Sequence, residues 1–150
     1  MKIKIDEATG WVVVSDYSKE SRLTPRDMQK ILAIPPHVNH FIIGQMDFIS
    51  FYKDRTVTFL PLERSFDTVA EVSAEIDKFG FKFAPFFDMF TINFMNPDFQ
   101  KTYPNLTAER SSVAGDHYCL TFNFWSLGPR LNFTHDIIFD ESLWYACVPK

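Results

Sequence analysis

The sequence predicts an α+β fold that is mainly antiparallel β-sheet, arranged as a sandwich or a partly open barrel with two short helices packed on it. Apolar and polar residues alternate with a period of two through residues 117–139, which is typical of strands with one buried face. Residues 66–79 instead carry apolar side chains at helical spacing. The 150 residues contain no internal repeat or linker, so residues 1–150 are predicted to form a single domain.

The N-terminus has the pattern of a β-hairpin. Ile3 and Ile5 alternate with lysines, which is the period of a strand with one apolar face. Residues 7–10 end in glycine and are typical of a turn, and residues 11–14 form an apolar, β-branched run that can return along the first strand. We therefore predict two short antiparallel strands here.

Two segments carry the start and stop signals of helices. In the first, Thr24 is placed to cap a helix that Pro35 ends. In the second, Ser65 or Asp67 is expected to cap a helix that Gly80 ends in a left-handed conformation. The apolar positions of the second segment recur at helical spacing: Phe66, Val69, Val72, Ile76 and Phe79.

Further strands and one long loop are predicted between the helices and the C-terminal third. Residues 40–52 and 56–62 are apolar on either side of a polar turn, which predicts a long hairpin. Residues 90–94 alternate apolar and polar side chains and predict another strand. Residues 96–116 are rich in turn-forming residues and predict a long loop, which in a compact domain often carries function.

The last two predicted strands can be paired by keeping their phenylalanines on one face. A four-residue loop at 126–129 gives three pairs on the inward face: Phe124 with Leu131, Phe122 with Phe133, and Leu120 with His135. The outward face then carries the asparagine and threonine residues. A slip of one residue would place phenylalanine opposite asparagine throughout, so burial of one face favours the predicted register.

Charge and cysteine content exclude several classes of partner. The formal net charge is −4 and the lysines and arginines are not clustered, so no nucleic-acid partner is expected. The sequence shows no signal peptide and no apolar stretch long enough for a transmembrane helix, so no membrane partner is expected. Cytoplasmic localisation is predicted, or localisation in a virion for a viral protein. Cys119 and Cys147 lack metal-type spacing and are expected to be buried thiols.

Signatures of catalysis are missing from the sequence. It contains no glycine-rich phosphate loop, nucleophile elbow or zinc-binding histidine pair on a helix, so no cofactor and no metal are expected. The residues that could serve an enzyme are His37, His40 and His117, which a small metal-dependent hydrolase could use with a carboxylate. A second alternative is an apolar-ligand-binding β protein, because phenylalanines crowd into residues 79–99.

The leading hypothesis is a protein that binds other proteins. Of the 150 residues, 17 are phenylalanine, whose side chain has no polar group and suits dry interfaces as well as cores. We expect a non-enzymatic protein-binding or assembly subunit, such as a virion component or a compact inhibitor, that binds a protein partner or self-assembles. Phe86, Phe87, Met89 and Phe99, with the loop at 96–116, are expected to contribute to the contact.

Overall fold

A computed structural model describes residues 1–17, 55–110, 117–125, 128–134 and 139–150. The described residues form an α+β fold with one open, mostly antiparallel sheet and three short helices. The strands are β1 (Lys2–Ile5), β2 (Val12–Ser15), β3 (Val57–Pro61), β4 (Phe81–Phe83), β5 (Asn105–Arg110), β6 (His117–Trp125), β7 (Gly128–Thr134) and β8 (Trp144–Pro149). The helices are α1 (Val69–Asp77), α2 (Phe86–Met95) and α3 (Phe99–Thr102). No helix in this described part combines the length and the apolar character needed to cross a membrane.

The sheet has the order β1, β2, β3, β8, β5, β6, β7, and β4 pairs with the part of β8 that extends beyond β5. β5 runs parallel to β8, and the other neighbouring strands are antiparallel. The predicted α+β class with a mainly antiparallel sheet is confirmed. The predicted sandwich is not observed among the described strands, because all eight belong to one sheet whose ends are β1 and β7.

Helices cover both faces of the sheet, which gives the chain two buried clusters. Successive residues of a strand point to opposite faces, so each central strand contributes to both clusters. On one face, here called the α2 face, Phe122 packs edge-to-face on Phe90 of α2 with 5.6 Å between ring centroids. On the opposite α1 face, Tyr145 and Ile76 of α1 belong to the second cluster. The phenylalanine-rich composition is explained in part by this double-sided burial.

The N-terminal hairpin is confirmed, and its turn is fixed by local hydrogen bonds. The Asp6 carboxylate accepts from the amide of Ala8 at 3.0 Å, and the Thr9 hydroxyl accepts from the amide of Trp11 at 3.2 Å. Gly10 has a φ of 74°, a left-handed conformation that other L-residues adopt at a cost. The turn sequence therefore sets the register that pairs β1 with β2.

The helix predicted between residues 66 and 79 is confirmed as α1, although its cap differs from the prediction. Thr68, rather than Ser65 or Asp67, is the N-cap, and its hydroxyl accepts from the amide of Glu71 at 3.2 Å. The left-handed stop at Gly80 is confirmed by its φ of 77°. The helix predicted at 24–34 lies outside the described residues.

The prediction of a strand at 90–94 is wrong, because these residues belong to α2. Every residue from 88 to 93 is buried, so no wet face is present to reveal a helical period. The polar residues that suggested an outward strand face are instead hydrogen-bonded inside the protein. Asn93 exchanges two hydrogen bonds of 2.9 Å each with Asn105 of β5.

The prediction of a long loop at 96–116 is also wrong for the residues that the structure describes there. α3 and β5 occupy most of residues 99–110. β5 was missed because half of its inward positions are polar: Asn105 binds Asn93, and the Thr107 hydroxyl donates to the carbonyl of Ala84. Leu106 and Ala108 complete the strand on the α1 face.

β6 and β7 form the predicted antiparallel pair, but two residues out of the predicted register. Phe122 lies opposite Leu131, and Leu120 lies opposite Phe133. A two-residue connection between Trp125 and Gly128 replaces the predicted four-residue loop, which shifts the pairing and keeps each residue on its expected face. Cys119 and Thr121 are buried as well, so the face predicted to be outward is covered at this end of β6.

The structure describes the second of the two strands predicted to form a hairpin at residues 40–52 and 56–62. β3 confirms a strand in the second segment, while residues 40–52 lie outside the described part of the chain. Thr58 and Phe59 are paired with β2 on one edge and with β8 on the other. Both edges of β3 are therefore occupied at these positions, and the predicted pairing is wrong there.

A candidate protein-binding edge

β1 is the most exposed of the strands whose side chains are all described, which are β1, β2, β3, β4 and β8. All four residues of β1 are exposed, and β1 pairs with β2 at the end of the strand order. Ile3 is 41% exposed and Ile5 is 54% exposed. We call Lys2–Ile5 the N-terminal edge. Monomeric proteins usually avoid large apolar residues on an exposed edge strand, because such a strand can pair with a strand of another protein. Their presence here indicates an interaction site.

The backbone pattern decides which groups of the N-terminal edge face outward. The amide of Asp6 donates to the carbonyl of Trp11 at 2.9 Å, so this pair is a hydrogen-bonded pair of the hairpin. Hydrogen-bonded and non-hydrogen-bonded pairs alternate along an antiparallel ladder. Counting back along the register, Lys4 is hydrogen-bonded to β2, and Ile3 and Ile5 are not. The N–H and C=O groups of Ile3 and Ile5 therefore point away from β2, toward the edge of β1 on which none of the described strands pairs.

The two faces of the N-terminal edge differ in chemistry. Ile3 and Ile5 lie opposite Val14 and Val12, which belong to the buried cluster on the α2 face. The alternate positions, Lys2 and Lys4, lie on the α1 face. One face of β1 thus continues an apolar core surface, and the other presents ammonium groups.

An aromatic cluster lies beside the hairpin on the α1 face. Trp11 packs edge-to-face on Phe79 at 5.2 Å and on Phe81 at 6.0 Å between ring centroids. Phe79 is 50% exposed, and with Ile3 and Ile5 it completes the set of exposed large apolar residues in the described part of the chain. All three lie on the hairpin or against it, so the exposed large apolar residues of the described side chains lie close to the N-terminal edge.

The residues predicted from the sequence to contact a partner lie elsewhere. Phe86, Met89 and Phe99 are buried in the cluster on the α2 face, within this single chain. They are therefore core residues rather than an accessible surface, because α2 and α3 turn them toward the sheet. Phe87 belongs to α2, and its side chain lies outside the described set. Of the loop at 96–116 that was expected to join them, the structure describes residues 96–110, and most of these belong to α3 and β5.

Only one of the three predicted catalytic histidines lies in the described part of the structure. His37 and His40 lie outside it, and His117 begins β6, where it pairs with Arg110 of β5. Among the described residues, no group of three or more histidine, cysteine, aspartate or glutamate side chains could hold a metal ion. The hydrolase hypothesis gains no support from these residues and stays a prediction from the sequence.

The two cysteines are free, buried thiols, as expected. Burial raises the pKa of the Cys119 thiol to about 12 and raises the pKa of Cys147 further. Burial is also the main cause of the raised pKa of Tyr145, with smaller effects from Asp140 and Cys119. Since the thiolate is the nucleophilic form of cysteine, neither side chain is arranged for nucleophilic chemistry at neutral pH.

A carboxylate is buried in the described interior. The side chain of Asp88 is 3% exposed, and it accepts from the Tyr17 hydroxyl at 2.8 Å and from Arg55 at 3.2 Å. These contacts join the first turn of α2 to the residues that follow β2 and precede β3. The carboxylate is paired and enclosed, so its observed role is to fix α2 on the sheet.

The fold and the site together define a class: an α+β domain with an open, mostly antiparallel sheet and an exposed apolar edge strand. Comparisons with protein families, with curated proteins and with solved structures each found no significant match.

Proposed function

We propose that the chain is a non-enzymatic protein-binding domain, and that it binds a partner by adding a strand of the partner to the N-terminal edge. The observation that carries this proposal is the coincidence of two features on β1. Ile3 and Ile5 have exposed apolar side chains, and their backbone N–H and C=O groups point away from β2, toward the N-terminal edge. A strand added there would satisfy these backbone groups and bury both side chains.

The expected strength of this contact follows from its size. Burying the remaining exposed half of two isoleucine side chains contributes roughly 1.5–3 kcal/mol, and each new backbone hydrogen bond adds about 0.5–1.5 kcal/mol. Association also costs translational and rotational freedom. A single added strand should therefore bind in roughly the micromolar to millimolar range. Contacts on the neighbouring aromatic cluster of Trp11, Phe79 and Phe81 would strengthen a larger complex.

The proposal keeps the general function predicted from the sequence and moves the contact from the buried residues of α2 and α3 to the N-terminal edge. Assembly in a virion is the more specific prediction. No described residue favours that setting over another.

A peptide selection tests the proposal. A displayed library of random peptides is selected against the intact protein, and the peptides obtained are tested against Ile3→Pro and Ile3→Ala. Both variants remove the isoleucine side chain, but only proline removes the outward N–H, and it breaks no hydrogen bond to β2. We expect Ile3→Ala to bind more weakly and Ile3→Pro to lose binding. Peptides that bind Ile3→Pro as well as Ile3→Ala, or a selection that returns no peptide, would contradict strand addition.

A further inference from the structure

The structure also constrains the chemistry of the added strand, and this inference rests on the proposed function. We propose that the strand bound at the N-terminal edge is an extended segment of another protein in which apolar and acidic residues alternate. Its apolar side chains lie beside Ile3 and Ile5, and its carboxylates lie beside Lys2 and Lys4.

The alternation follows from the geometry of paired strands. Directly opposed residues of neighbouring strands place their side chains on the same face, and the faces alternate along each strand. Ile3 and Ile5 share the α2 face, whereas Lys2 and Lys4 share the α1 face. A segment with the same period can therefore match both faces at once. A segment with apolar residues at every position would leave half of them beside ammonium groups.

Charge complementarity determines the polar half of the pattern. The Lys2 side chain is 80% exposed, and its ion pair with Asp16 is at the surface, with 3.4 Å between Nζ and Oδ2. Exposed pairs of this kind are weak, so the Lys2 ammonium can turn to a carboxylate on an added strand. Opposite charges on facing strands stabilise the pair, and like charges destabilise it. An acidic strand is therefore favoured over a basic one.

A second copy of this chain fits the N-terminal edge less well. Antiparallel pairing of two β1 strands that is centred on Ile3 or Lys4 keeps the isoleucines on one face, but it places lysine opposite lysine. β1 is also only four residues long, so its self-pairing would bury far less than the roughly 1,200 Å² of a stable interface. The repulsion between lysines and the small buried area therefore both favour a strand from a different, acidic segment.

Synthetic peptides test this inference. The first peptide alternates valine with glutamate over seven residues, the second replaces glutamate with lysine, and the third has the composition of the first with its valines and glutamates in two blocks. Binding is followed by NMR titration of the intact protein at low ionic strength. We expect the alternating acidic peptide to shift the amides of Ile3 and Ile5 and to bind about tenfold more tightly than the lysine peptide. The block peptide should not shift these amides.

A charge exchange provides the matched control. The double variant Lys2→Glu with Lys4→Glu should reverse the preference, so that the lysine peptide binds more tightly than the acidic one. The same change in charge at Lys82 and Lys101, two exposed lysines on β4 and α3, should leave the preference as it is. Raising the salt concentration to about 1 M should reduce the difference between the peptides, because exposed charges are then screened within a few ångströms.

Three results would overturn the inference. One is equal binding of the acidic and lysine peptides at Ile3 and Ile5, and another is a preference that the Lys2 and Lys4 exchange does not change. The third is concentration-dependent dimerisation through the N-terminal edge without binding of the acidic peptide, which would identify a second copy as the occupant. The first result leaves strand addition intact. Failure of strand addition itself would appear in the peptide selection with Ile3→Pro, so the two proposals fail separately.

Discussion

The Tyr17 hydroxyl donates a hydrogen bond of 2.8 Å to the carboxylate of Asp88, across 71 positions of the sequence. Tyr17 follows β2, and Asp88 lies in the first turn of α2, so this bond ties the helix to the sheet beside the N-terminal hairpin. Arg55, just before β3, binds the second oxygen of the same carboxylate. The contact therefore couples the stability of α2 to the part of the sheet that supports β1.

Removing the Tyr17 hydroxyl should destabilise the fold. Tyr17→Phe leaves one oxygen of the buried Asp88 carboxylate without this donor, and the loss of a hydrogen bond to a buried charged group costs about 1–3 kcal/mol. Urea unfolding of Tyr17→Phe beside Tyr103→Phe measures the effect, since no hydrogen bond from the Tyr103 hydroxyl is seen in the described part of the chain. Equal stability of Tyr17→Phe and the unchanged protein would show that the bond contributes nothing.

Phe86 should behave as a core residue and Phe79 as a surface residue. Phe86 is fully buried, so Phe86→Ser should lower the free energy of unfolding by about 3–5 kcal/mol, because it leaves a cavity and buries a hydroxyl. Phe79 is 50% exposed, and Phe79→Ser should cost about 1 kcal/mol or less. Chemical denaturation of the two variants compares them directly. A stable Phe86→Ser protein that has lost a binding activity would restore the original interpretation of Phe86 as a contact residue.

Turns and helix ends that depend on a few neighbouring residues could be predicted from the sequence. The hairpin turn ending at Gly10 and the stop at Gly80 depend on a few neighbouring residues, and both were predicted correctly. The division of β6 into two faces was predicted because period-two alternation fixes parity, but burial of Cys119 and Thr121 on the second face was not. The register was missed by two residues, because it depends on the length of the connection between Trp125 and Gly128.

Residues with buried polar partners were not predictable in the same way. Asn93 suggested an outward strand position and Asn105 fell within the predicted loop, and only the tertiary structure brings their amides together. The alternation that suggested a strand at 90–94 belongs to a helix in which residues 88–93 are all buried. The candidate edge was also missed, although Ile3 and Ile5 were recognised, because exposure depends on what the rest of the chain covers.

The two asparagines should show strong energetic coupling. Asn93→Ala or Asn105→Ala alone leaves the amide of the other residue buried without this partner, which costs about 1–3 kcal/mol. The double variant removes both amides, so its destabilisation should be smaller than the sum of the two single effects by about 0.5–3 kcal/mol. Urea unfolding of the three variants forms the cycle. Simple additivity would mean that the two amides do not stabilise each other.

Stability should fall at high pH in part through Cys119. Burial raises the pKa of this thiol from its ordinary value of 9.0 to about 12, so the folded protein keeps the proton that the unfolded chain releases. Because the folded pKa is the higher one, the stabilisation is complete below about pH 9 and is lost as the pH rises toward 12. Unfolding measured between pH 8 and 11 should show a shallower decline for Cys119→Ala than for the unchanged protein. Parallel declines would contradict this origin.

The central claim is that the backbone N–H and C=O groups of Ile3 and Ile5 point away from β2, toward an edge that no other strand in the described part of the chain pairs. Amide hydrogen exchange of the protein alone, resolved by residue with NMR, tests this claim most directly. We expect the amides of Ile3 and Ile5 to exchange much faster than that of Lys4, whose N–H is directed at β2, and to become protected when a strand-forming peptide binds. Strong protection of the Ile3 and Ile5 amides, equal to that of Lys4, in the protein alone would show that the edge is already paired and would contradict the proposed function.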